Sequence, residues 1–542
     1  MKTLRKTILL MAAVPLLLGG CARPDRWGVF EQGLERRLRK EEARTVDIPK
    51  GPEPGLSREQ AFALPAEGPF ELSMEQAIML ALRNNRDLQV RQIGPVVAGT
   101  FEQIERGVFD PELFFDFEHF RERASETSRS TGTQFDVEGS DTGAVAGVRQ
   151  TLPTGTTFEA TLGEARSDSN RTPEQYKARF GLSVTQSLLR GYGPAVNLAS
   201  VRQAGLDAVA SVYELRGFTE ALLADTETAY WNYVLAKKEI EIFERSLEVA
   251  GRQLKEVELR IEVGILPEVE AAAARAEVAR REQALINVRS QLEERRLRLL
   301  RLINPGPEGR LDYQVIATAE PAIEPRPITD LADRLELAQR MRPDLNEALL
   351  RVEQNRLETI VTRNGLLPKL DLFAALGPTG FADSFSGSFR ALDENTYDFT
   401  VGVRLSQFIG NRAAGARDTA ARASLRQSEE AVANLKQLVS LDVMLAVNEV
   451  SRAGQQILAS RTTRILEEET VKAEEERFDV GASTALLVVQ AQRDLLASSI
   501  AEVGSVVNYR IALIRLYRAE GSLLERRGVT LPVGDVRIGT VP

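Results

Sequence analysis

The chain has 542 residues, 43% hydrophobic and 27% charged, with one histidine and one cysteine. A single Cys forms no internal disulfide and no multi-thiolate metal site, and one His supports no His-rich zinc or iron centre, so no metal or other cofactor is expected. A net charge of −9 lacks the basic excess of a nucleic-acid binder, so no nucleic-acid partner is expected either.

Residues 1–20 read as an export signal: Lys2, Arg5 and Lys6 precede an apolar run from Ile8 to Leu18, too short to span a bilayer as a helix. The run ends Leu18-Gly19-Gly20-Cys21, which resembles the bacterial lipobox, and Cys21 is the only Cys of the chain. Lipid attached there would anchor the protein without a membrane helix. Residues 21–70, rich in Pro and charge, read as a tether. The longest later run without a charge is Val480 to Gln492, far below the ~20 residues a spanning helix needs, so any membrane span has to be β.

Strands with period-two alternation follow a helix predicted over Met74–Arg106. Leu113, Phe115 and Phe117 share a face, as do Phe158, Ala160 and Leu162, and then Phe180, Leu182 and Val184. The pattern returns at Leu370, Leu372, Ala374 and Leu376 and at Phe399, Val401, Val403 and Leu405. A soluble half-buried sheet alternates in the same way. Long helices are predicted over Asn197–Ile261 and Pro267–Ile303, the first carrying a 3-4 heptad seam through Ile240, Phe243, Leu247, Ala250, Leu254, Val257 and Ile261. At 1.5 Å per residue that first helix is about 98 Å long. Pro95 and Pro343 are expected to interrupt the shorter helices that open each half.

An internal repeat organises the chain. Leu80-Ala81, Arg83, Asp87-Leu88, Arg106, Pro111 and Leu113 recur 257 residues later as Leu337-Ala338, Arg340, Asp344-Leu345, Arg363, Pro368 and Leu370. Val263-Gly264 recurs as Val480-Gly481 at an offset of 217, and the shrinking offset places a 36-residue insertion, read as an added hairpin around Pro153-Thr154-Gly155, in the first half. The halves are residues 71–303 and 330–519, joined by a linker, residues 304–329, and followed by a tail, residues 520–542. Four to six strands per chain cannot close a transmembrane barrel, for which eight is the usual minimum, so oligomerisation has to close it. The Pro153 turn is then expected to face the periplasm, with Arg121–Asp141 and Arg166–Gln175 as outer loops.

Gln186-Ser-Leu-Leu-Arg-Gly-Tyr-Gly193 after a strand, Leu152-Pro-Thr-Gly-Thr156, Leu366-Leu-Pro-Lys-Leu370, and Arg477-Phe-Asp-Val-Gly481 with Val489-Gln-Ala-Gln492 together resemble the TolC-like outer-membrane efflux proteins, in their lipoprotein form. The resemblance implies a mixed membrane α+β fold: a trimeric transmembrane β-barrel continuous with a long periplasmic α-helical coiled-coil barrel. It implies an outer-membrane channel of a tripartite efflux or type I secretion system. The partners implied are two further copies of the chain, a periplasmic adaptor protein, an inner-membrane pump reached through it, and outer-membrane lipid. Adaptor-docking tips then fall on Val263, Gly264, Ile265, Val480, Gly481 and Ala482. An acidic constriction in such proteins lies just past the second tip, where this chain has Leu487 and Gln490; Glu270 is the acidic candidate of the first half. Phe478 stands where a tyrosine hydroxyl would help tie the tip closed. No phosphate loop, no HExxH and no His beside a nucleophile is present, so no enzyme is expected. The competing reading is a lipid-anchored periplasmic adaptor or scaffold with a soluble sheet and no pore.

Overall fold

The computed structural model describes residues 69–127, 129–305 and 311–529. The signal, Cys21 and the tether up to residue 68 lie outside the described residues. The opening helix is three helices: α1 Met74–Asn84, α2 Arg86–Gln92 and α3 Gly94–Arg106. A capping box starts α1, with the Gln76 amide donating to the Ser73 hydroxyl and the Ser73 amide to the Gln76 side chain. Pro95 sits in the first turn of α3 at the expected break, but a second break falls at Asn85. There the Asn85 side chain accepts from the Leu88 amide at 3.0 Å and donates to the Leu302 carbonyl at 3.0 Å, a contact 217 residues away that no local pattern reveals.

Four strands follow, β2 Glu112–Thr127, β3 Gln134–Thr151, β4 Thr156–Ser169 and β5 Gln175–Ser187; β1 is a short segment, Phe70–Leu72, ahead of α1. The expected outer loops are mostly strand, because backbone pairing continues past the apolar stretch where both faces turn polar: Thr127 still pairs with Gln134 and Ser169 with Gly139. The Pro153 turn forms with Gly155 at φ 83°, a left-handed value that suits glycine. It is held against the helical end of the sheet, where Asn197 donates to the Pro153 carbonyl and the Gly193 amide to the Thr154 carbonyl.

After the short α4 Pro194–Asn197 come α5 Ala199–Glu262 and α6 Val269–Ile303, both starting about two residues later than the sequence pattern suggests. Next are β6 Val315–Ala317, α7 Leu331–Met341 and α8 Pro343–Gly365, the last two divided at Pro343. Strand β7 Lys369–Ala382, the short α9 Phe385–Arg390 and β8 Tyr397–Ser406 lead into α10 Arg412–Asp479, 68 residues long, and α11 Ala485–Ala519. One antiparallel six-stranded sheet runs β2-β3-β4-β5-β7-β8. A second, two-stranded sheet pairs β1 in parallel with β6 inside the Pro-rich linker, a pairing too short to carry a sequence signal.

The largest core lies where these chain segments cross the long helices. Phe70, Leu72, Tyr230, Trp231, Ile303 and Val507 pack together there, the Tyr230 hydroxyl donating to the Leu72 carbonyl at 2.9 Å and that of Tyr233 to the Val315 carbonyl at 2.5 Å. The segment read as a tail belongs to this core up to residue 529. Helix α12, Leu523–Arg526, buries Leu523 and Leu524, and Arg527 forms a two-pronged ion pair with the fully buried Glu227 at 2.6 and 2.7 Å.

Nearby, buried Glu220 of α5 pairs with Arg216 at 3.3 Å, while Arg216 also reaches Glu525 at 2.6 Å. Burial pushes the Glu220 carboxyl up to about 7, against the pull of Arg216 and with help from the Glu525 charge. The folded chain therefore holds a proton that the unfolded chain releases near 4.5, so stability falls as pH rises from about 4.5 to about 7, by up to about 3 kcal/mol. Glu220→Gln is expected to flatten that slope and to be more stable than the parent at pH 8, as read from thermal unfolding midpoints across pH.

Candidate functional site

Each pair of long helices ends in a tight turn. Gly264 between α5 and α6 has φ 76° and Gly481 between α10 and α11 has φ 74°, and each closes a left-handed helix cap. The Ile265 amide donates to the Arg260 carbonyl at 2.8 Å and the Ala482 amide to the Arg477 carbonyl at 2.7 Å. Around these glycines the expected tip residues Val263, Ile265 and Val480 stand 60–78% exposed, Ala482 is exposed too, and a Cβ added at Gly264 or Gly481 would meet nothing within 4 Å. The turns thus present open, apolar knobs. Such residues are what a partner would cover.

The two turns are joined beneath. Val257, Phe478, Ala485 and Val488 form a small core with Ile261 and Leu266. Phe478, a constriction candidate on the sequence, is 6% exposed and packs into this core, so it lines no passage within the protomer. Its missing hydroxyl is replaced by a different tie: Arg260 of α5 lies 4.7 Å over the Phe478 ring, donates to the Phe478 carbonyl at 3.4 Å, and pairs with Asp479 at 2.6 Å. Of the other candidates, Leu487 and Gln490 are exposed on the first turns of α11, and Glu270 is half-buried in the first turn of α6. Among the described residues no group of three or more His, Cys, Asp or Glu is placed to hold a metal ion. Sequence reading missed Glu277, buried in α6 and gripped by Arg493 of α11 at 2.6 and 2.8 Å, because the two lie 216 residues apart.

At the opposite end, the six strands have faces of contrasting chemistry. One hydrogen-bonded row crosses the whole sheet through Leu113, Val148, Ala160, Leu182, Leu376 and Phe399. On that face Leu113, Phe115, Phe117, Val401, Val403 and Leu405 are 60–81% exposed. The reverse face is charged and internally paired: Arg149 meets Glu159 at 2.8 Å, and Arg179 grips Asp398 with two bonds of 2.8 and 2.9 Å. His119 merely contacts the Thr142 hydroxyl at the surface. No described helix is long and apolar enough to cross a membrane.

A sequence model of the family described as outer membrane efflux protein matches residues 155–305 and 335–522, more than half of the chain. The pyoverdine export outer membrane protein OpmQ of Pseudomonas aeruginosa is 26% identical over 332 residues, a stretch that spans 60% of this chain and 66% of that protein. In solved structures the fold is similar to the outer-membrane channel OprN, with TM-score 0.61 and 17% identity over 83% of this chain and 90% of that one. It is also similar to the Campylobacter jejuni CmeC outer membrane channel, with TM-score 0.59 and 16% identity over 88% and 94%.

Proposed function

Because the chain belongs to the outer membrane efflux protein family, we propose that three copies form the outer-membrane exit duct of a periplasm-spanning efflux or secretion machine. The observation that carries this reading is the unbroken apolar face of a six-stranded sheet joined to paired helices on the order of 100 Å long. A soluble scaffold would have no use for such a face, because exposed aromatic and branched side chains in water invite aggregation. Six strands cannot close in one copy, so the sheets of three copies share one barrel. Their helices continue it through the periplasm as a tunnel, with the two sequence repeats of each copy side by side in its wall.

Two exposed stripes on the helices supply contacts between copies. Val90, Ile93, Val97, Phe101 and Ile104 follow a 3-4 spacing along α2 and α3, and Leu438, Leu441 and Leu445 do so on α10; all are exposed in a single protomer. The glycine turns dock a periplasmic adaptor and, through it, an inner-membrane pump that supplies the energy. Lipid on Cys21 adds a second hold on the outer membrane. No catalytic residue takes part in this function.

In this reading the Arg260 tie holds the tunnel's periplasmic end narrow. Its exposed ion pairs and its stacking on Phe478 together amount to about 1–2 kcal/mol. Arg260→Ala is then expected to raise the open fraction roughly ten-fold, seen as higher mean conductance in planar lipid bilayers. A protein that conducts no current, parent or variant, would contradict the channel reading.

A further inference from the structure

We infer that β2 and β8 are the strands through which neighbouring copies join, so that three copies make a barrel wall of eighteen strands in which the β3–β4 hairpin is a full member. This rests on the trimeric channel proposed above. It adds which edges meet, in which register, and how wide the outlet is.

Strands β2 and β8 end the six-stranded order, and among the described residues neither has a partner on its outer side. The count is even and every pair is antiparallel, so β8 of one copy runs opposite to β2 of the next and the ladder can continue without a break. An occupant other than a second copy would leave two hydrophobic edges open in lipid, where each unsatisfied backbone group is costly. The added hairpin does not lie off the wall. Its Val148, Ala146, Ala160 and Leu162 stand in the same hydrogen-bonded rows as Leu113 and Phe115 on one side and Leu182 and Phe180 on the other. Its reverse face carries Arg149 and Glu159, continuous with the charged face of the other strands.

The apolar band also slants. Relative to the row through Leu113 and Phe399, it centres two residues outward in β2, at Phe115 between Leu113 and Phe117, and two residues inward in β8, at Val401, the middle of the exposed alternation from Tyr397 to Leu405. Closed barrels of tilted strands require such a stagger. Levelling the two ends of the band in the membrane sets Phe115 of one copy opposite Val401 of the next, and on the water-filled side Asp116 opposite Thr400. Eighteen strands spaced about 4.8 Å apart and tilted about 40° enclose a backbone cylinder about 36 Å across, whereas twelve would enclose about 24 Å. Barrels of 16–18 strands leave an open aqueous channel. The outer-membrane segment therefore passes bulky solutes without selecting among them, and selection by size belongs to the periplasmic end.

The test uses the full-length protein in outer membranes, with Thr400→Cys combined in turn with Phe114→Cys, Asp116→Cys and Glu118→Cys, which covers the register and its two neighbours. The single variants report any background from Cys21. Oxidation is expected to yield covalent dimers and trimers on denaturing gels for one of the three combinations, strongest with Asp116→Cys. In a parallel measurement, Phe115→Cys is expected to be shielded from a membrane-impermeant maleimide until the membrane is dissolved. Trimers by native mass measurement that cross-link Thr400→Cys with Thr161→Cys of β4 would overturn the inference, as would trimers in which no β2 combination cross-links or Phe115→Cys labels at once. Either result would leave the channel reading standing. Monomers throughout would remove both.

Discussion

Gly481→Arg is expected to abolish export while leaving trimers intact. Gly481 holds φ 74°, and a side chain there costs about 1–2 kcal/mol of backbone strain, too little to undo an assembly built on six strands and four long helices per copy. Space is no obstacle to folding, because nothing lies within 4 Å of the added Cβ. What changes is the outer surface of the knob, where a long cation now projects beside exposed Val480. Gly481→Ala imposes the same strain without the bulk and separates the two effects: it is expected to export at near-parental levels. Cells carrying the arginine variant should become as susceptible to the exported compounds as cells lacking the protein, with trimers unchanged on native gels. Unchanged susceptibility would count against docking at this turn.

The largest expected effect on stability comes from Arg527→Ala. Glu227 is fully buried, and Arg527 answers it with two short bonds. Removing the arginine strands the carboxylate among Tyr230, Trp231 and their neighbours, a loss of about 3–5 kcal/mol. Burial already pushes the Glu227 carboxyl upward, and Arg527 is the main influence holding it down. The variant is therefore expected to gain a proton on Glu227 and to lose less stability at pH 5 than at pH 8, because its folded-state value would stand well above the unfolded one. Thermal unfolding at the two pH values reads this directly. Glu227→Gln with Arg527→Leu, which removes both charges, is expected to recover much of the loss. An Arg527→Ala protein as stable as the parent would show that this ion pair does not hold the C-terminal segment in the core around Tyr230 and Trp231.

Periodic features were legible in the chain; contacts between distant segments were not. The alternation Phe399, Val401, Val403, Leu405 marks β8 because one face must differ from the other, and the heptad seam from Ile240 to Ile261 marks the half-buried stripe of α5. The hairpin at Gly155 could be located from spacing alone, since an insertion shifts everything after it. Asn85, by contrast, breaks a helix by bonding to Leu302, and three-residue β1 becomes a strand only because β6 lies beside it. Phe478 illustrates the same limit at the candidate site. Its position suggested a lost tie at the tip, but the ring and its carbonyl are met by Arg260, 218 residues earlier. The polar ends of β2 to β5 looked like loops because strand character there is carried by backbone pairing and not by side-chain alternation.

The most direct measurement is electron cryo-microscopy of the protein extracted from outer membranes into lipid nanodiscs. The expected image is a three-fold particle in which the rows of Leu113, Leu182 and Phe399 face acyl chains around one closed wall, with the helices running on as a single tube to the Gly264 and Gly481 turns. Separate protomers whose sheets lie in water would contradict the account.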